Sequence, residues 1–338
     1  MVVILTLGCR TNTAESESLA HALRLKGLEV VTALGNAKSG SLYVINTCAV
    51  TSVAERKSRH LASTIATRDP NARIVVMGCA AEAHAKQFTS QNVIKIFGNN
   101  KTEVADFVFT TVGEATCLPQ TATTQRQQYF LKVQDGCDNS CAFCIVSKLR
   151  GSSRSRAIED IMTELRSLPT QPNQITITGV NLCAYRDGEF GLVDLCSEIN
   201  TLGIPFRLSS LYVDSIDSVF VEKLSKLENR IPHFHLSIQS CSDVVLVSMG
   251  RRYNATEVEA AVVLLRKTFA ETKISADIIV GFPTETEDEF ESSRAVLKKL
   301  NLDHLHVFPY SPRPGTAAAE LKQLPQRVVK ERVHRLQS

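Results

Sequence analysis

The chain has 338 residues, 43% of them apolar and 22% charged, with a formal net charge of +3. This is ample for a packed interior and makes two domains the natural expectation. So small a basic excess is ordinary soluble surface and does not announce a nucleic-acid binder, and no stretch reaches the roughly 18 uninterrupted apolar residues of a membrane span.

From the N-terminus, MVVILTLGCRTN lacks a basic flank and a small-residue cleavage pattern, so it is expected to be a buried strand rather than a signal peptide. Apolar runs then recur (VVILTLG, SLYVINT, ARIVVMG, VIKIFGN) with helical stretches such as AESESLAHALRLKG and AERKSRHLASTIATR between them. Strand and helix in alternation predict a doubly wound parallel α/β domain over residues 1–113. Residues 114–128, polar and rich in Thr and Gln, are expected to be a linker.

A second series follows: YFLKVQDG, QITITGVN, PFRLSSL, HFHLSIQS, ISADIIVGF and HLHVFPYS, with amphipathic stretches among them. Six βα units predict a partial (β/α)6 barrel over 129–318, whose chemistry is expected at the C-terminal ends of its strands. The end, RVVKERVHRLQS, is expected to be a basic helix within a C-terminal segment 319–338, cut before a further domain.

Ten cysteines with no export signal imply a reducing, cytoplasmic location, where thiols serve metals or redox chemistry more often than disulfides. Cys137, Cys141 and Cys144 stand in the loop after the first strand of the second series. Soft thiolates select iron–sulfur clusters, zinc or copper(I). A closed zinc site would need a fourth ligand such as His233 or His235, whereas an iron cluster held by three thiolates keeps one position open for a substrate or cofactor. In the first domain Cys9, Cys48 and Cys79 each lie just past an apolar run, and in a parallel sheet such positions share one edge, where ligands bind. Cys117, Cys183, Cys196 and Cys241 are given no metal role, as cysteine is a frequent buried residue.

The spacing of Cys137, Cys141 and Cys144 resembles the radical S-adenosylmethionine (SAM) motif, and its pairing with LGCRTN, NTCAVT and MGCA resembles the methylthiotransferase family. The likeness runs through KVQDGC, TGVN, HFHLSIQS, IVGFPTETEDEF and HVFPYSPRPGT, over essentially the whole chain. The resemblance implies a 4Fe-4S cluster on Cys137, Cys141 and Cys144 whose open iron binds SAM and supports its cleavage to a 5′-deoxyadenosyl radical. It implies a second 4Fe-4S cluster on Cys9, Cys48 and Cys79 that carries the sulfur to be inserted, with a second SAM as methyl donor. AERKSRH, with Arg56, Lys57 and Arg59, resembles the branch that converts N6-threonylcarbamoyladenosine at position 37 of tRNA to its 2-methylthio form. Sister branches act on isopentenyladenosine of tRNA or on an aspartate of a ribosomal protein. The implied partners are tRNA, an electron donor such as flavodoxin or ferredoxin, and a sulfur source. Arg10, Ser147 and Cys241 depart from the residues usual in the family, and no C-terminal RNA-binding TRAM barrel is recognisable.

Asn181, Ser210, Gln239 and Tyr310 follow or end predicted barrel strands and are candidates for contact with SAM or substrate, with turn formation as the alternative. Phe143 is either the partner of the SAM adenine, by resemblance, or a core aromatic. Arg150, Arg154, Arg156, Arg251 and Arg252 suit either phosphates or ion pairs. His233, His235, His304 and His306 are expected inside the fold rather than on a metal, and Thr286 with Glu289 has the pattern of a capping box. Two other functions fit the cysteines without the resemblance: a zinc-stabilised RNA-binding protein and an electron-transfer iron–sulfur protein.

Overall fold

The computed structural model describes residues 1–101, 103–113 and 128–337. Most of the expected linker, with Cys117, lies outside the described residues. The chain forms two compact units, Met1–Thr124 with Lys148–Gly151 and Gln125–Ser147 with Ser152–Ser338.

In the first unit, β1 (Val2–Thr6), β2 (Val30–Val31), β3 (Leu42–Thr47), β4 (Arg73–Gly78) and β5 (Val93–Gly98) form one sheet in the order β2-β1-β3-β4-β5. Every pairing is parallel. Successive side chains point to opposite faces, so near-continuous apolar runs mean burial on both sides. Val3, Leu5, Ile45, Ile74 and Val76 join Ala62 and Ile65 of α2 (Ser52–Arg68) on one face. Ile4, Val44, Val75 and Met77 join Leu19 and Leu23 of α1 (Arg10–Leu25) and Val104 and Val108 of α4 (Val104–Val112) on the other. The short α3 (Cys79–His84) begins directly at the end of β4. The sequence groups residues 148–151 with the barrel, whereas their contacts belong to this first unit. Leu149 packs on its core and the Arg150 side chain is ion-paired to Glu15.

The second unit opens with β6 (Tyr129–Lys132) and β7 (Gln134–Asp135); the cysteine loop leads into α5 (Val146–Arg150), whose last three residues belong to the first unit, and β8 (Arg154–Ser155) returns antiparallel to β7. Next come α6 (Ile158–Arg166), β9 (Ile175–Thr178), the hairpin β10 (Arg186–Asp187) with β11 (Phe190–Gly191), α7 (Leu192–Asn200), β12 (Phe206–Leu208), β13 (Ser210–Leu211) and α8 (Ser218–Ser225). Then follow β14 (His233–Gln239), α9 (Asp243–Ser248), α10 (Ala255–Thr268), β15 (Lys273–Val280), α11 (Glu287–Leu300), β16 (His304–Pro309) and α12 (Gln326–Gln337). Parallel ladders run β6-β9-β12 and β13-β14-β15-β16. The Ser209 N–H between β12 and β13 donates to Ile177 O, so these two pieces act as one strand of a six-stranded partial barrel.

The C-terminal segment belongs to this unit, because α12 packs on β15 and β16 and buries Val329 and Arg332. Arg332 Nη1 donates to both Oε2 and the carbonyl of Glu285 at 2.8 Å, with the two side chains 4% and 3% exposed. Breaking such a buried pair from one side leaves an uncompensated charge, so Arg332→Ala is expected to destabilise this unit by about 3–5 kcal/mol. Urea unfolding checks this, and a loss near zero would mean that the helix is held by its apolar contacts alone. The capping box at α11 is only half made: Thr286 Oγ1 accepts the Glu289 N–H at 3.2 Å, while the Glu289 carboxylate accepts from Ser242 instead.

Candidate functional site

In the first unit, Cys9, Cys48 and Cys79 follow the C-terminal ends of β1, β3 and β4, which are adjacent strands. In open parallel sheets ligands bind where the strand order reverses. Here that point lies between β1 and β3, flanked by Cys9 and Cys48.

The register pairs Thr47 with Gly78, so Cys48 and Cys79 emerge side by side. Cys9 and Cys79 both lie within electrostatic reach of the Cys48 thiol. The Cys48 thiol is pushed up to about 12, chiefly by burial, with Cys9 and Cys79 adding to the shift and a backbone hydrogen bond from Val50 and the Arg150 charge opposing it. Cys48 and Cys79 are buried and Cys9 is exposed.

Two glycines make this approach feasible. Gly8 has φ +103°, and a Cβ there would lie 2.7 Å from Cys48 Sγ. Gly78 has φ +97°, and its Cβ would meet Thr47 O at 2.5 Å. Each is the residue before a cysteine, at a backbone conformation that a side chain strains.

Asn12, 1% exposed, ties the sheet edge together. Its Nδ2 donates to Leu7 O at 2.8 Å and to Thr47 O at 2.9 Å. Cys79 Sγ accepts from Arg150 Nε at 3.3 Å. Arg150 is therefore a buried partner of a thiol and a carboxylate, not a surface contact for phosphate. Arg56 and Lys57 of α2 are exposed, and Arg59 pairs with Glu55 at 3.0 Å.

In the second unit, Cys137, Cys141 and Cys144 stand on the loop after β7, and each sulfur accepts an N–H. The donors are Asn139 N to Cys137 (3.4 Å), Arg251 Nη1 to Cys141 (3.4 Å) and Val146 N to Cys144 (3.4 Å). Burial pushes the Cys144 thiol up to about 11. It also raises Cys137, against the backbone hydrogen bond from Asn139 and side-chain hydrogen bonds with Tyr212 and Asn181.

Arg251 is held by Tyr253 and by Ser237 O, both at 2.9 Å, and lies over the Tyr212 ring at 4.4 Å. Burial works against its charge, but Tyr253, Tyr212 and Cys141 outweigh that and raise its pKa. Asn139, Cys141, Tyr212, Arg251, Arg252 and Tyr253 line a recess beside the loop.

Of the strand-end candidates, Tyr310 has a buried hydroxyl without a hydrogen-bond partner, and Asn181 a buried amide oxygen in the same state. Asn181 is 9% exposed, and its backbone N–H is fixed by Gln134 Oε1 at 2.8 Å. A buried acceptor left unpaired is costly, which marks the position for a ligand donor. At the next strand the buried unpaired hydroxyl belongs to Ser209, whereas Ser210, the residue singled out from the sequence, is half-buried. Gln239 ends β14 with φ +69° at a register shift against β15. Phe143, half-buried, packs against an apolar cluster that includes Val245, Met249, Phe282 and Tyr310.

Arg154 pairs with Asp135 and Arg156 with Glu164, while Arg252 is exposed. His235 is bonded to Asp277 at 3.1 Å and Ser275 at 2.9 Å, and His306 packs edge-on to both His235 and His304. Among the described residues no three His, Cys, Asp or Glu side chains are grouped as ligands of a single metal ion. No described helix is long and apolar enough to cross a membrane.

Residues 131–297 match the Radical SAM superfamily, and residues 1–98 match Uncharacterized protein family UPF0004. The chain is 35% identical, over 97% of its length, to the threonylcarbamoyladenosine tRNA methylthiotransferase MtaB of Rickettsia prowazekii (strain Madrid E), of which it covers 80%. It is 34% identical over 97% to the protein of the same name in Aquifex aeolicus (strain VF5), covering 85%. To the tRNA-2-methylthio-N(6)-dimethylallyladenosine synthase of Geobacillus kaustophilus (strain HTA426) it is 31% identical over 98%, covering 67%. Among solved structures, the radical S-adenosylmethionine methyltransferase TsrM of Kitasatospora setae, with cobalamin and a [4Fe-4S] cluster bound, matches 94% of this chain and 77% of its own. The TM-score of 0.66 at 13% identity is a likeness of fold. With two cysteine triples at the strand ends and relatives alike over nearly its whole length, the chain belongs to the tRNA methylthiotransferase family of radical SAM proteins.

Proposed function

We propose that this protein converts N6-threonylcarbamoyladenosine at position 37 of tRNA to its 2-methylthio derivative, with one 4Fe-4S cluster on Cys137, Cys141 and Cys144 and a second on Cys9, Cys48 and Cys79. The observation that carries the reading is the second triple: three thiols far apart in sequence emerge from adjacent strand ends, two of them flanking the point where the sheet's order reverses. Three soft thiolates, with N–H groups donating to sulfur, are a donor set that suits an iron–sulfur cluster. The relatives named for the threonylcarbamoyl substrate, at up to 35% identity, support that branch over the dimethylallyl one at 31%.

When bound, SAM and the clusters supply reductive cleavage to a hydrogen-abstracting carbon radical, together with the sulfur and the methyl group. The chain supplies position. N–H donors from Asn139, Arg251 and Val146 fix the sulfurs of Cys137, Cys141 and Cys144. Arg251 sets a positive charge beside Cys141, and Asn181 offers an acceptor to the ligand. An external electron donor such as flavodoxin or ferredoxin, and a sulfur source, complete the reaction.

The test is nucleoside mass spectrometry after anaerobic incubation of the reconstituted protein with SAM, sulfide, a reductant and tRNA bearing either modified adenosine. The expected product is the 2-methylthio form of the threonylcarbamoyl nucleoside. Product from the dimethylallyl tRNA alone would reassign the branch, and none from either tRNA despite SAM cleavage would remove tRNA as substrate.

The glycine geometry gives a narrower expectation. Gly78→Ala places a Cβ against the Thr47 backbone, at a positive φ with extended ψ that costs an L-residue about 1–3 kcal/mol. Because that strain falls between Cys48 and Cys79, the variant is expected to lose the iron of this triple while the other keeps its own. Iron per chain measures it, and full retention would show that the strand ends yield without moving the thiols.

A further inference from the structure

Arg150 is more tightly fixed than an ion pair requires. Its side chain is 2% exposed, Nη1 donates to Glu15 Oε1 at 2.8 Å, and Nη2 donates to Asn12 Oδ1 at 2.9 Å and Glu15 Oε2 at 3.3 Å. Glu15, itself 6% exposed, is also ion-paired with Lys101. With the fork held on that side, Nε is aimed at Cys79 Sγ. The carboxylate already satisfies the charge, so the sulfur contact is an additional, directed one. Cluster potentials follow net charge and hydrogen bonds to sulfur, and a fixed positive charge favours the form that has gained an electron.

Resting on the reading that Cys9, Cys48 and Cys79 hold a cluster, we propose that Arg150 is a positioning residue that raises the reduction potential of that cluster, with Glu15 setting both its orientation and the opposing charge. Reduction adds one electron from the reductant and makes or breaks no bond.

The experiment uses the full chain carrying Cys137→Ala, Cys141→Ala and Cys144→Ala, reconstituted anaerobically, so that one cluster site remains. Dithionite titration followed by electron paramagnetic resonance gives its midpoint potential. Arg150→Gln is expected to lower the potential, Glu15→Gln to raise it, and Arg150→Lys, which keeps charge but loses the Nε donor, to fall between Arg150→Gln and the parent. Shifts of opposite sign from two partners of one ion pair are not the mark of a merely structural role. Unchanged potentials, or shifts of the same sign in Arg150→Gln and Glu15→Gln, would overturn the proposal. Should Arg150→Gln hold no iron, Arg150→Lys and Glu15→Gln decide by the same signs. A parent that holds no iron–sulfur cluster would instead overturn the reading of the three cysteines on which the proposal rests.

Discussion

Replacing Cys137, Cys141 and Cys144 together by alanine is expected to bring 5′-deoxyadenosine formation to the uncatalysed background, a loss of at least about 10⁶-fold, the lower end of what enzymes contribute. The three sulfurs share one short loop and each accepts its own N–H, so no other described side chain is placed to substitute for them. The first unit has its own sheet and its own apolar clusters on both faces, so its cysteines should still assemble a cluster. Chromatographic assay of SAM cleavage checks this. Cleavage within tenfold of the unmodified chain would place the radical chemistry elsewhere.

The complementary change, Cys9→Ala, Cys48→Ala and Cys79→Ala, is expected to separate the two halves of the reaction. Loss of methylthio product should again reach background, about 10⁶-fold or more. SAM cleavage should stay within about tenfold, roughly 1.4 kcal/mol of barrier, because the barrel loop and its donors are untouched. Mass spectrometry of tRNA nucleosides beside the cleavage assay gives both numbers. Methylthio product at the normal rate would show that these cysteines carry no inserted sulfur and that the sheet-edge geometry serves another purpose.

Much of this arrangement is legible in the sequence because burial on both faces writes continuous apolar runs. SLYVINT and ARIVVMG mark β3 and β4, and the cysteine after each locates the sheet edge without knowledge of register. The two-residue strand β2 is not legible in the same way, being fixed only by pairing with Val2 and Val3. Glycine before cysteine in LGC and MGC carried a signal that periodicity does not capture: the chain needs positive φ there to bring Cys9 and Cys79 to Cys48.

The polar surroundings were harder to foresee. Arg150 meets Glu15 across 135 positions of sequence, and no local pattern distinguishes it from an arginine facing phosphate. At β12 and β13 a single residue of register decides whether Ser209 or Ser210 is the buried hydroxyl, and side-chain alternation makes such an error complete rather than partial. The local pattern pairs Glu289 with its own helix N-terminus, but Ser242 captures its carboxylate. In each case a contact distant in sequence overrides the local one.

The most direct test of two independent thiolate-held centres is iron and acid-labile sulfide analysis of the anaerobically reconstituted chain beside its two triple-alanine variants. The account predicts about eight irons and about eight sulfides per chain, falling to about four of each in either variant, as two separate four-iron clusters require. Stoichiometric zinc, or the loss of all iron on removing one triple, would contradict it.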